Sequence, residues 1–164
     1  MERPVTVRDA LPEDAADMAR VHVESWRATY RGIISDEVLD APDFVSRRAT
    51  FWRTVLEDPR FASYNAAVAV VEGRIVGIAL VGGAADDEAE SRLQLFVLYV
   101  DVDFHGTGTG SDLLAAVLPA AATAVLWVAD PNPRAQAFYR KQGFRATGEA
   151  KDDDGVREIR MVRE

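Results

Sequence analysis

The segment His105-Gly106-Thr107-Gly108-Thr109-Gly110 connects an apolar run, Leu93–Val100, to a helix-like run, Ser111–Leu118. Three glycines within five residues let the backbone turn tightly and approach a ligand closely. The helix that follows presents unpaired N–H groups and a partial positive charge at its first turn. A strand, a glycine loop and a helix N-terminus in this order predict an anion site, most often one for phosphate.

The composition limits the classes of protein and partner. The 164 residues, 48% hydrophobic and 28% charged, are typical of one globular domain, which we expect to span residues 1–164. A net charge of -8 disfavours nucleic acid as a partner, because phosphate contacts need a basic surface. The chain has no cysteine, and its two histidines lack metal-ligand spacing, so we predict no metal site.

We expect no contact with a membrane and a cytoplasmic location. The uncharged run Leu113–Ala129 is shorter than the roughly 20 residues that span a bilayer, and it contains Pro119. The N-terminal residues lack the apolar core of a signal peptide.

Hydrophobic periodicity predicts a mixed α/β (α+β) domain with the order β-α-α-β-β-β-α-β-α-β-β. Central strands that are apolar on both faces favour a mostly antiparallel sheet with a few parallel neighbours, flanked by helices. The predicted strands are Val5–Arg8, Tyr64–Val71, Arg74–Val81, Leu93–Val100, Thr123–Val128, Phe144–Ala150 and Val156–Val162. The predicted helices are Glu13–Val23, Asp43–Leu56, Ser111–Leu118 and one that begins after Asn132, with a short helix after Ser35.

Two other phosphate-binding folds fit the glycine segment less well. A dinucleotide-binding Rossmann fold needs its glycines directly after the strand, whereas Asp101–His105 intervenes and Ser111 occupies the third glycine position. A P-loop needs a lysine after its last glycine, and the only lysines are Lys141 and Lys151.

Two motifs in sequence resemble those of the GNAT superfamily of N-acetyltransferases, and the resemblance extends over essentially the whole chain. Leu98–Ser111, LYVDVDFHGTGTGS, resembles its pyrophosphate loop, Gln/Arg-x-x-Gly-x-Gly/Ala, with His105 as a departure at the first position. Leu126–Phe144, LWVADPNPRAQAFYRKQGF, resembles its second motif. The matching positions are Gly108, Gly110, Asn132, Ala135, Phe138, Tyr139, Gly143 and Phe144.

The resemblance implies acetyl-coenzyme A as co-substrate. Its pyrophosphate would bind the amides of the glycine loop, and its pantetheine arm would enter between two splayed central strands. A backbone N–H there would contact the thioester carbonyl. The coenzyme-binding residues implied are Leu98, Tyr99, Val100, His105, Gly106, Thr107, Gly108, Thr109, Gly110, Ser111, Asn132, Ala135, Phe138 and Tyr139.

The resemblance also implies Tyr139 as the proton donor to the departing thiolate. A phenol with a pKa of about 10 is near enough to a thiol of about 8.5 for this transfer. Many family members use a glutamate on the central strand as general base, but Gln94 occupies that position and cannot accept a proton. We predict Glu24 as the base, while Asp101, Asp103, His22 and relayed water stay open.

Trp26 and Tyr30 lie in a segment that, by resemblance, walls the acceptor pocket, although a core role is equally open. The predicted function is transfer of acetyl to a primary amine, small-molecule or peptide, by direct attack in a ternary complex, since no cysteine exists for an acetyl-enzyme. The alternative is a catalytically vestigial coenzyme A-binding sensor or regulatory module, suggested by Gln94. The resemblance also allows a homodimer.

Overall fold

The computed structural model describes residues 4–84, 92–153 and 155–164. Seven strands form one sheet in the order β1-β2-β3-β4-β5-β7-β6, and every neighbouring pair is antiparallel except β4 with β5. The predicted fold class, a mostly antiparallel mixed sheet flanked by helices, is confirmed. The strands are β1 (Thr6–Asp9), β2 (Asn65–Val71), β3 (Arg74–Gly83), β4 (Leu93–Val100), β5 (Ala124–Ala129), β6 (Arg145–Asp153) and β7 (Val156–Arg163).

Among the described residues, five α-helices accompany the sheet: α1 (Ala15–Tyr30), α2 (Asp36–Leu39), α3 (Phe44–Glu57), α4 (Thr109–Val117) and α5 (Pro133–Lys141). The short helix predicted after Ser35 is α2, a single turn, so three helices rather than two lie between β1 and β2. Helix α1 also continues seven residues beyond the predicted Val23, because Trp26 and Tyr30 extend its buried face at four-residue spacing. None of the described helices has the length and apolarity needed to cross a bilayer.

The sheet separates two apolar cores. Helix α4 packs on one face, where Leu113, Leu126 and Met161 are buried. Helices α1 and α3 pack on the other face around Met18, Trp52 and neighbouring strand residues. Strand β4 is covered on both sides, as its continuous apolar sequence predicts.

Strands β4 and β5 diverge soon after they begin. They pair only at Leu93 with Ala124 and at Gln94 with Val125. A bulge then interrupts β4, because Leu80 pairs with Val97 and Val81 with Leu95, which leaves Phe96 without a place in the ladder. Since a bulge bends its strand and increases the local twist, the rest of β4 turns away from β5. The carboxyl ends of the two strands therefore flank a gap.

Candidate active site

The glycine loop adopts the conformation that its sequence predicts. Gly106 and Gly108 have φ angles of 75° and 87°, in the left-handed region that favours glycine, and Gly108 is the N-cap of α4. No described residue accepts a hydrogen bond from the backbone N–H groups of residues 106–111. Six consecutive N–H groups at a helix N-terminus form a site that suits an anion such as pyrophosphate.

Side chains hold this loop in place. The Nε2 of His105 lies 2.8 Å from the carbonyl oxygen of Val100, and because a carbonyl can only accept, His105 carries its proton on Nε2. The hydroxyl of Thr107 donates to the carbonyl of Phe104 at 2.6 Å and lies 2.8 Å from the hydroxyl of buried Thr109. These bonds leave the backbone N–H groups free while fixing the loop to the end of β4.

Helix α5 closes one side of the gap. Asn132 caps it, since its side chain accepts from the N–H of Ala135 at 3.3 Å. The ring of Phe138 lies 3.5 Å from where a Cβ on Gly110 would stand, so the start of α4 approaches α5 closely. The amide of Gln142 donates to the Ser111 hydroxyl at 3.3 Å. The predicted coenzyme-binding residues of α4 and α5 are therefore neighbours in space.

Tyr139, the predicted proton donor, packs beside Phe138 and Phe144 with ring centroids 5.3 and 5.8 Å apart. Its hydroxyl makes no hydrogen bond to any residue in the described parts of the chain. Burial is the main cause of a raised pKa for Tyr139, and nearby Tyr99 and Tyr30 raise it further. The phenol therefore stays protonated across the physiological range.

Tyr99 and Tyr30 lie close enough to Tyr139 to act on it electrostatically. The indole N–H of Trp26 donates to the hydroxyl of Tyr99 at 3.0 Å, and the Trp26 and Tyr30 ring centroids are 5.1 Å apart. Burial also raises the pKa values of Tyr99 and Tyr30. Residues from α1, β4 and α5 that the sequence assigns to acceptor and coenzyme thus share one environment.

The base candidates from the sequence have other partners. Glu24 is exposed and binds Arg20 at 3.2 Å. His22 is 3% exposed, and its Nδ1 accepts from the indole of Trp52 at 3.2 Å, which occupies its lone pair. Burial, with a contribution from the Arg48 cation, lowers the pKa of His22 to about 3.

The two aspartates named as further base candidates follow β4 in a 3-10 turn at Val102–Phe104. The carboxylate of Asp101 caps that turn by accepting from the N–H of Asp103 at 3.2 Å. Asp101 thus has a structural partner within its own turn.

Glu158 on β7 is a charged residue beside the gap that the sequence analysis did not single out. It lies opposite Ala129, the last residue of β5, and therefore at the open end of the gap. It is half-buried, and burial, reinforced by nearby Asp153, raises its pKa. The negative charge of Glu158 also contributes to the raised pKa of Tyr30.

The carboxylate of Glu158 has no hydrogen bond or ion pair within residues 4–84, 92–153 and 155–164. Lys151 lies directly opposite on β6, yet its ammonium group sits 4.3 Å from the ring centroid of Trp127 instead. No local pattern distinguishes Glu158 from solvent-facing Arg157, so the sequence carried no signal for it.

Comparison with known proteins agrees with this geometry. Residues 40–164 match the family model described as "Acetyltransferase (GNAT) domain". The chain belongs to the GNAT acetyltransferase family.

Relatives of this GNAT chain cover most of its length. A probable N-acetyltransferase of Mycobacterium tuberculosis is 27% identical over 146 residues, which are 88% of this chain and 82% of the relative. The peptidyl-lysine N-acetyltransferase YjaB of Escherichia coli is 29% identical over 154 residues, 92% of this chain and 88% of YjaB. The crystal structure of the PaiA N-acetyltransferase of Thermoplasma acidophilum in complex with coenzyme A shares the fold, with a TM-score of 0.75, 20% identity and coverage of 98% and 99%.

The protein is therefore an acetyl-coenzyme A-dependent N-acetyltransferase that acts on an amine, as the two motifs predict. The dinucleotide alternative fails, since a Rossmann sheet is mostly parallel and the described sheet has one parallel pair. The vestigial-sensor alternative is not favoured by relatives that are named as enzymes.

Proposed function

We propose that this GNAT enzyme acetylates a primary amine by direct attack in a ternary complex, at the gap between β4 and β5. The observation that carries the proposal is that Tyr99, on β4 where the strands part, acts electrostatically on Tyr139 and is itself affected by Glu158, opposite the last residue of β5. The N–H groups of residues 106–111 lie beside the same end, in the loop after β4 and in the first turn of α4.

Acetyl-coenzyme A would supply the activated acetyl group. Three parts of the chain offer it contacts: the glycine loop, the edge of β4 and helix α5. The amides of Gly106 to Ser111 would bind the pyrophosphate, with His105 holding the loop against Val100. The edge of β4 over Leu98, Tyr99 and Val100 faces the gap because β5 has already diverged. Asn132, Ala135 and Phe138 would line the opposite side from α5.

We assign proton donation to Tyr139. Its raised pKa keeps the phenol protonated, which a donor requires, but it also makes the phenol a weaker acid. The leaving thiolate would form in the same buried environment, and burial disfavours an anion there as well. Burial therefore changes the pKa of the donor and of the leaving thiol in the same direction.

We assign proton acceptance to Glu158, because Gln94 leaves the strand position without a base. The ammonium of the acceptor loses one N–H bond, the proton goes to the Glu158 carboxylate, and the nitrogen lone pair is freed for attack. A raised pKa makes Glu158 a stronger base than an exposed carboxylate. Glu24 is the rival, but its carboxylate is committed to Arg20 on the surface of α1.

The acceptor is tested first with lysine, because YjaB is named a peptidyl-lysine N-acetyltransferase. A panel of lysine peptides, amino acids and polyamines is incubated with acetyl-coenzyme A, thiol release is followed, and products are identified by mass spectrometry. Acetylated amine is expected. Absence of product across the panel, together with no binding of coenzyme A, would overturn the proposal.

Glu158→Gln tests whether Glu158 is the base, and Glu24→Gln tests the rival candidate. Glu149→Gln is the control, because Glu149 is an exposed residue of β6 that pairs with Arg160. General acid–base groups contribute about 10²- to 10⁴-fold, so we expect kcat to fall on that order in Glu158→Gln alone. The acidic limb of its pH–rate profile should also disappear, with KM for acetyl-coenzyme A unchanged. A loss confined to Glu24→Gln would identify Glu24 as the base.

A further inference from the structure

Arg48 on α3 is a half-buried cation surrounded by aromatic rings. Its guanidinium carbon lies 5.2 Å from the ring centroid of Trp26, 5.7 Å from that of Phe44 and 5.9 Å from that of Phe51. No residue in the described ranges forms an ion pair or hydrogen bond with Arg48. Its neighbour Arg47, by contrast, pairs with Asp43 at 3.2 Å.

The aromatic rings do not satisfy the hydrogen-bond donors of the Arg48 side chain. A ring face attracts the guanidinium as a whole, but the five N–H groups point outward in the guanidinium plane and need acceptor atoms. Burial lowers the pKa of Arg48, which means that the surroundings disfavour its charge. Buried charges in proteins are normally paired, so an unpaired and half-buried arginine indicates a missing anion.

Arg48 lies next to the site. Its guanidinium packs on Trp26, whose N–H donates to the Tyr99 hydroxyl at 3.0 Å, so one indole separates the cation from Tyr99. Two charges act on the pKa of Tyr99: Arg48 on α3 lowers it, and Glu158 on β7 raises it. A cation and a carboxylate therefore flank the same group of tyrosines.

We propose that Arg48 binds a carboxylate of the acceptor, so that the acceptor class is a primary amine that also carries a carboxylate. The inference rests on the proposed function. The ammonium of such an acceptor would face Glu158 while its carboxylate faces Arg48, whose planar N–H groups suit a carboxylate's two oxygens. A free amino acid and a peptide amine beside an acidic residue share this chemistry.

The test compares matched acceptors. The free-acid arm uses lysine against lysinamide, and the peptide arm uses a lysine peptide with glutamate or glutamine beside the lysine. Wild-type kcat/KM should be about 10-fold or more higher for the carboxylate member of at least one pair, as expected for a hydrogen-bonded charge. The arm that shows the preference identifies the source.

Arg48→Gln should lower kcat/KM for the carboxylate acceptor about 10- to 100-fold, leave the neutral acceptor unchanged and remove the preference. Arg48→Lys is the second variant, for the case in which Arg48→Gln does not fold. It keeps the charge without the paired N–H groups and should retain part of the preference. Arg53→Gln, on the exposed side of α3, is the control. Coenzyme A affinity should be equal in all variants.

Equal kcat/KM for both members of each pair in the wild type would overturn this inference while leaving acetyl transfer intact. Retention of the preference in Arg48→Gln would overturn it as well. Failure of the proposed function is distinguishable, because it would abolish acetylation of every acceptor in the panel.

Discussion

The proposed binding of pyrophosphate to residues 106–111 can be tested by adding one methyl group to the loop at either of two positions. Gly106→Ala and Gly108→Ala each add a Cβ that meets no atom within 4 Å, so neither substitution creates a clash. Both positions have a φ angle in the left-handed region, where a residue with a Cβ is disfavoured by about 1–2 kcal/mol. The variants should therefore relax away from the conformation that presents the free N–H groups.

Coenzyme binding would then have to restore that conformation. Because 1.4 kcal/mol is about tenfold in an equilibrium constant, 1–2 kcal/mol predicts an apparent Kd for coenzyme A about 5- to 30-fold weaker. Isothermal titration calorimetry measures this Kd, and urea unfolding measures the accompanying loss of stability.

Gly32→Ala is the matched control. Gly32 has a φ of 88° and no atom within 4 Å of the position that an added methyl group would take, but it follows α1 and lies outside the loop. It should lose up to about 1–2 kcal/mol of stability with coenzyme affinity unchanged. Wild-type affinity in both loop variants, or an equal loss in Gly32→Ala, would refute the assignment of the pyrophosphate to residues 106–111.

Two further predictions concern the buried ring groups. Tyr139→Phe should lower kcat on the order of 10²-fold in steady-state assays and leave KM for acetyl-coenzyme A unchanged, because only the proton donor is removed; a fall in coenzyme affinity instead would indicate a packing role. His22 has a folded pKa of about 3, below the ordinary 6.5, so the unfolded chain binds the proton first. The contribution of His22 to the free energy of unfolding is fully present above about pH 6.5, and it falls by about 1.4 kcal/mol per pH unit between pH 6.5 and pH 3. In urea unfolding from pH 6.5 to pH 4, the decline of stability should be shallower in His22→Gln than in the wild type by one proton, about 1.4 kcal/mol per pH unit. Identical slopes in the two proteins would contradict the prediction.

Much of the fold followed from local patterns. Strand β4 was predicted at its observed bounds, Leu93–Val100, because a strand covered on both faces carries apolar residues on both faces. The predicted strands Tyr64–Val71 and Arg74–Val81 leave two residues between them, Glu72-Gly73, and these form the turn between β2 and β3. The length of α1 was underestimated, because half-buried Trp26 packs on Tyr99 and Phe44, which are distant in sequence.

The sequence by itself determined the conformation of the glycine loop and indicated the family, because both depend on motifs whose residues are neighbours along the chain. The positive φ angles of Gly106 and Gly108 and the cap at Asn132 are properties of single short segments. Only the tertiary structure decided which charged side chains lack partners. Arg48 and Glu158 stand 110 positions apart in sequence, and packing of α3 on α1 and of β7 on β5 half-buries each of them. Neither forms an ion pair with another described residue, because the neighbouring side chains contact aromatic rings or other partners instead.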